Sequence, residues 1–282
     1  GRYDSFESYD ENSLRVATVK MPDARDGGHV RRALLEMLLP FKMYLAVRNH
    51  VSCNERISFV WYSPSIFLIF FGLLLRWRRP VTILTILRDI FPDWALHLGL
   101  ISRGPSYYFF KLVACIQLYF SDIVAVQADG DREHLPSWLT NRSTNNVVTL
   151  LNWLPPQALT DTQAALEQAL GFNLWSKLSE KKVCLYAGTL GVAQDVGKVA
   201  DIVSACERDE SIFFLFVGSG ASAEKAFVKE AGRKLKNYVF VDTIHSDLVK
   251  PLCELCSVGL VSLDVRHRSH HVPGKFLSYL QA

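Results

Sequence analysis

No hydrophobic run in the 282 residues is long enough to cross a bilayer. The longest, Ser65 to Leu75 (SIFLIFFGLLL), is roughly half of the ~20 residues a spanning helix needs. No Walker loop, Gly-x-Ser-x-Gly elbow or Gly-x-Gly-x-x-Gly fingerprint occurs, so none of the chemistries those motifs announce is indicated. Charge of one sign is scarce as well: the net charge is +3, too little for a bulk nucleic-acid binder. The six cysteines (Cys53, Cys115, Cys184, Cys206, Cys253, Cys256) include a single Cys-x-x-Cys, at Cys253 and Cys256, whereas a zinc ribbon needs two such pairs. Three lie inside apolar runs, as reduced core cysteines do, which predicts structural thiols in a reducing cytoplasm. His267, His270 and His271 are close in sequence, but only Asp264 accompanies them, and no metal is expected.

What charge there is has an uneven distribution. Between residues 30 and 110 stand ten Lys or Arg against four acids, a local excess of +6. This window is also the most apolar part of the chain, a pairing that suits an anionic membrane surface or a phosphate-bearing substrate. Within it, Ile66 to Arg79 reads as an interfacial helix, with Phe and Leu at the acyl boundary and Arg76, Trp77, Arg78 and Arg79 at the headgroups. A buried core helix fits that stretch equally well; the aromatic-rich YYFFKLVACIQLYF favours the membrane reading.

Short apolar runs alternate with helical patterns. ISFVWYS, VTILTIL, DIVAVQA and NVVTLLNW read as strands, and the stretch from His29 to Val51 as a helical pattern interrupted by Pro40. After Pro155-Pro156 the alternation restarts with KVCLYAG, SIFFLFVGSG, YVFVDTI and VGLVSL, separated by further helices. Strands apolar on both faces with helices between them predict two doubly wound parallel-sheet domains, Rossmann-like, over residues 1–155 and 156–282, facing a cleft. Both patterns look incomplete, the first lacking an opening strand with a Gly-rich turn and the second its last helices.

In such sheets ligands sit beyond the carboxyl ends of the strands. Three loops occupy that position in the C-terminal half: Gly188-Thr189-Leu190-Gly191, Gly218-Ser219-Gly220, and His271-Val272-Pro273-Gly274-Lys275 opening the last helix. Glycines let backbone amides approach phosphate oxygens, and a helix N-terminus adds partial positive charge. Lys275 in a first helical turn opposes the dipole at a cost of about 0.3–1 kcal/mol unless an anion such as a diphosphate balances it. Ordinary tight turns would account for any one of these loops. In the N-terminal half, Arg88 and Asp89 follow VTILTIL directly and are placed for proton transfer or hydroxyl positioning. Asp93 is expected to cap the helix starting near Trp94.

Taken together, LRDIFPDWALHLGLI, VTLLNWLPP, LYAGTLGVAQD, FVGSG and HHVPGKFLSYLQA resemble the bacterial family 4 glycosyltransferases of GT-B fold, most closely the WbuB-like L-fucosamine transferases of O-antigen and capsule assembly. The resemblance runs from about Arg56 to Ala282. It implies sugar transfer from a UDP-sugar to a polyprenyl-diphosphate-linked saccharide at the cytoplasmic face of the inner membrane, with retention of configuration and no required cofactor. It implies that the Gly188–Gly191 loop faces the diphosphate, that Thr243, Ile244 and His245 border the base, that Lys275 contacts phosphate, and that Asp89 lies near the transferred sugar. Departures are plain. Two glutamates eight positions apart in many relatives correspond to His270 and Ser278 here, and the usual Arg and Lys after the first C-domain strand correspond to Thr189 and Gln194. A UDP-sugar epimerase of the same fold and a non-catalytic partner in polysaccharide assembly remain open alternatives at this point.

Overall fold

A computed structural model describes residues 4–9, 14–22, 28–49, 56–63, 65–140, 146–154, 163–218, 220–266 and 272–282. Cys53, the Pro155-Pro156 pair, Ser219 and the three histidines at 267, 270 and 271 lie outside them. The chain divides into two compact units, one up to Leu151 and one from Asn152 onward.

The first unit opens with an antiparallel hairpin, β1 (Asp4–Tyr9) and β2 (Leu14–Val19), followed by the long helix α1 (Gly28–Val47). Then come β3 (Ile57–Ser63), α2 (Ile69–Arg76), β4 (Val81–Leu87), α3 (Asp93–His97), α4 (Pro105–Phe120), β5 (Ile123–Val126), α5 (Ser137–Thr140) and β6 (Val147–Thr149). The four strands β3-β4-β5-β6 form a parallel sheet in that order. α1 runs unbroken through Pro40, which is buried, so the expected interruption is absent. Pro105 occupies the first turn of α4, where its missing N–H would have had no helical partner.

The segment Ile66 to Arg79 is a core helix, which corrects the interfacial reading. Ile66, Phe67, Ile69, Phe71 and Leu75 are buried. α2 sits so close to β3 that a Cβ on Gly72 would lie 2.8 Å from the Phe59 ring. Two of its three arginines turn inward too. Arg76 clamps Asp122 and the Val81 carbonyl, and Arg79 is buried; the exposed members are Trp77 and Arg78. A period-3.6 apolar pattern is the same for a bilayer and for a sheet, and here the sheet takes it.

The second unit contains α6 (Gln163–Leu170) and α7 (Phe172–Ser179), neither of which the sequence pattern announced. They are followed by β7 (Lys182–Ala187), α8 (Val196–Ala205), β8 (Ile212–Val217), α9 (Gly220–Ala231), β9 (Tyr238–Val241), α10 (Val249–Leu255), β10 (Val258–Gly259) and α11 (Gly274–Gln281). The sheet is parallel with order β10-β7-β8-β9, doubly wound from β7. The run IFFLFV in β8 is buried along nearly its whole length because helices cover both faces. On one face Phe216 packs with Tyr186, Phe227, Tyr238 and Phe240, the last stacked at 4.5 Å. The other face holds Leu185, Phe213, Leu215 and Leu252. The five cysteines among the described residues are free, and burial pushes Cys253 and Cys256 up to about 11 and about 12, as inert structural thiols require.

Candidate functional site

At the carboxyl edge of the second sheet, β7 and β8 end in Gly188 and Gly218, with φ of 108° and 95°. Only glycine enters that region without strain. The two turns lie side by side: a Cβ on Gly218 would meet the Gly188 Cα at 3.5 Å, and one on Gly188 would meet the Lys275 Cε at 3.9 Å. Two of the three predicted loops and Lys275 therefore converge on one spot, next to the N-terminus of α9, which begins at Gly220, and that of α11, which begins at Gly274.

The role foreseen for the glycine amides needs correction. Gly188 N–H donates to the Val217 carbonyl (2.7 Å) and Gly218 N–H to the Val241 carbonyl (3.0 Å), each continuing the sheet ladder. Gly191 N–H donates to Gln194 Oε1 (3.0 Å), so Gln194, expected beside the ligand, braces the loop instead. Gly188 and Gly218 thus keep the strand exits open, and their amides and that of Gly191 are bonded within the protein. Positive potential at the spot comes from the α9 and α11 termini and from Lys275.

Lys275 is unusual for its residue type. Its Nζ is buried, has no hydrogen-bond acceptor among the described residues and lies 3.5 Å from the centroid of the Tyr186 ring. Burial holds the amine down at about 8, well below the usual 10.5. The ring face compensates part of the lost hydration. The Tyr186 hydroxyl in turn donates to the Thr189 carbonyl (3.3 Å), linking amine, ring and loop. Ser278 stands one turn beyond Lys275 on α11.

Thr243, Ile244 and His245 follow β9 on the same sheet edge. Ile244 packs into the core, Thr243 and His245 are exposed, and His245 Nδ1 caps the turn at 246–248 by accepting from Asp247 N–H (3.5 Å).

Two residues that sequence reading missed organise this edge. Tyr279, four residues after Lys275 on α11, accepts at its hydroxyl from Ala187 N–H (2.9 Å) and donates toward the Leu185 carbonyl (3.1 Å). It thereby takes over where the short β10 stops pairing with β7, and fixes α11 to the strand that leads into Gly188. Asp264 donates its N–H to the Ala193 carbonyl (3.0 Å) and holds Arg266 on its carboxylate (2.9 Å), tying 264–266 to the loop after Gly191. The i, i+4 spacing of Lys275 and Tyr279 was the available signal for the first; nothing local marked the second. Replacing Tyr279 by Phe leaves the Ala187 N–H unpaired, and we expect a loss of about 1–3 kcal/mol on urea denaturation together with weaker binding at Lys275.

In the first unit Arg88 and Asp89 follow β4 as foreseen, with the Arg88 guanidinium 5.8 Å from the centroid of the Tyr62 ring. Asp93 is not a cap. Pro92 holds the cap position of α3, and the Asp93 carboxylate accepts from Tyr107 Oη (2.8 Å) and pairs with Lys111 Nζ (2.5 Å). It joins α3 to α4; burial and the Asp93 contact push the Tyr107 phenol up to about 12. A cavity lined by Ser63, Asp93, Lys111, Gln117 and His134 has a volume of about 20 Å³, which admits a single water and no sugar.

The chain matches no protein-family model and no curated protein sequence. Solved structures do resemble it. A UDP-forming α,α-trehalose-phosphate synthase from Burkholderia xenovorans superposes with a TM-score of 0.68 at 13% identity, covering 99% of this chain and 72% of that one. A UDP-forming α,α-trehalose-phosphate synthase from Burkholderia xenovorans in complex with glucose-6-phosphate gives 0.65 at 13% identity over 100% and 74%. The N-terminal domain of Candida albicans trehalose-6-phosphate phosphatase gives 0.58 at 13% identity over 93% and 60%. With two parallel-sheet units and these neighbours, the chain has the GT-B fold of Rossmann-like domains.

Proposed function

We propose that this protein is a glycosyltransferase that takes a sugar from a UDP-sugar bound on its second unit and passes it, with retention of configuration, to a polyprenyl-diphosphate-linked saccharide. The observation that carries the reading is the Lys275 amine, buried, without an acceptor among the described residues, and set between the Gly188 turn and the start of α11. A cation desolvated in this way gains most from an anion placed at the same point, and a diphosphate supplies one. Two helix N-termini at the same edge add to it. The UDP-forming activity of the Burkholderia synthases supports a uridine diphosphate in particular.

In this scheme Lys275 and the α9 and α11 termini hold the diphosphate and take up the charge that grows on it as the glycosidic bond breaks. Thr243 to His245 border the base. Arg88 and Asp89 serve the transferred sugar and its acceptor. The acceptor class, a donor of the N-acetyl-L-fucosamine type, a role in O-antigen or capsule assembly and a place at the cytoplasmic face of the inner membrane rest on the sequence resemblance and on the basic, apolar first half of the chain.

Calorimetry with UDP tests the donor site; absence of measurable binding would sink it. Asp89→Asn should cut turnover at least about tenfold, as loss of a positioned polar group in a reacting site does, while leaving UDP affinity nearly unchanged. Equal losses in both would make Asp89 structural.

A further inference from the structure

α1 carries two apolar faces, and one of them is half exposed. Inward, Pro40 and Ala46 are buried, Met37 packs beside Phe67 and Val113, and Met43 and Tyr44 join the cluster around Ile69 and Trp61. Outward, Leu34, Leu38, Phe41 and Leu45 are 55, 54, 50 and 56% exposed. Their spacing of 4, 3 and 4 keeps them on one stripe, and the same alternation places exposed Arg31 and Arg48 at its two ends. Arg32 and Glu36 pair with each other (2.9 Å), so the flank carries little further negative charge.

We infer that this stripe seats the first unit on an anionic phospholipid surface, with α1 lying in the plane of the interface. Four large apolar side chains enter the acyl boundary, and Arg31 and Arg48 reach back to lipid phosphates. Among the described residues no helix is long and apolar enough to cross a membrane, which fits a helix that lies on the surface. The arginines also decide against a second copy as the occupant. Folding the stripe onto itself in parallel sets Arg31 on Arg31 and Arg48 on Arg48; in antiparallel it sets Arg31 on Arg48. Each arrangement closes an apolar seam with like charges, which associating surfaces avoid. A surface of negative headgroups answers both ends at once. The inference gives the lipid-linked acceptor reading a physical location, but its evidence is the exposed stripe and not the nucleotide site.

The test is co-sedimentation of the whole chain with vesicles of phosphatidylglycerol and phosphatidylcholine in equal parts. Binding should be clear, weaker with phosphatidylcholine alone, and reduced by salt. Replacing Leu38 and Phe41 together by Glu should lower it at least about tenfold, because burial of two large side chains is lost and negative charge is added. Both positions are half exposed, so UDP affinity and the far-ultraviolet spectrum should stay as they are. A gain-of-signal variant guards against misfolding: the emission that Leu38→Trp adds over the parent should be quenched by lipids brominated in the acyl chains. Undiminished sedimentation of the double variant, absence of quenching at position 38, or a dimer in sedimentation velocity that the same two substitutions dissolve would each overturn the inference. Loss of UDP binding with vesicle binding intact would instead strike the donor-site reading alone.

Discussion

Lys275→Met is expected to weaken UDP binding roughly tenfold to a hundredfold, the range of a lost charged hydrogen bond, and at the same time to raise the unfolding temperature by a few degrees. Opposite signs follow from one cause. The amine is held down at about 8 because burial removes its hydration, and the Tyr186 ring 3.5 Å away restores only part of it. Met keeps the length and shape of the side chain and has no charge to desolvate. With a diphosphate in place the charged form becomes the favoured one, and the variant has nothing to offer. The pH dependence carries a sign that can be checked. Between about 8 and 10.5 the unfolded chain holds a proton at this residue that the folded chain has released, so stability should rise with pH across that window and level off above it. UDP affinity should run the other way, falling as pH passes upward through about 8, with proton uptake on binding. Lys275→Met should flatten both profiles. Calorimetry in buffers of different ionisation enthalpy, beside thermal melts, measures both; a variant that binds UDP as the parent does would remove Lys275 from the site.

Gly259→Ala should be nearly as damaging, by a different route. A Cβ there would stand 2.4 Å from the Tyr279 ring, at Cγ and Cδ2. Those are atoms near the base of the side chain, whose hydroxyl is fixed by Ala187 N–H and the Leu185 carbonyl. The ring has to leave, and α11 moves with it. We expect about 1–3 kcal/mol of destabilisation from overpacking and a clear loss of UDP affinity, since Lys275 rides on the same helix. Combining Gly259→Ala with Tyr279→Phe should cost little more than the first change alone, because the hydroxyl contacts are already gone. Full additivity in urea denaturation would show that the two residues act independently.

The strands of both sheets were legible because both-sided burial leaves continuous apolar runs such as VTILTIL and IFFLFV. Their ends were less so: of VGLVSL only Val258 and Gly259 pair with β7, and the Leu260 N–H makes one last bond to the Leu185 carbonyl before Tyr279 takes over. The helix at 69–76 was legible as a helix but not as a buried one, since nothing in SIFLIFFGLLL says whether lipid or β3 covers it. α6 and α7 are eight residues each, too short for a 3.6-residue period to be recognised over the window it needs. At the site, Gly188, Gly218 and Lys275 could be named from loop position alone. That Gly191 spends its amide on Gln194, and that Asp93 serves Lys111 and Tyr107 rather than a helix end, depends on partners 3 to 18 residues away, and single-residue preferences do not reach that far.

The saturated amides of Gly188, Gly191 and Gly218 bear on turnover. A pocket built from bare backbone donors would pay for vacancy every time its ligand departed. Here three of the turn amides are bonded with or without a ligand, so emptying the site exposes only the α9 and α11 N-termini and one amine that can shed its proton. On the proposed function, release of the nucleoside diphosphate then costs little, and a transferase that frees a charged by-product in every cycle gains speed from that arrangement.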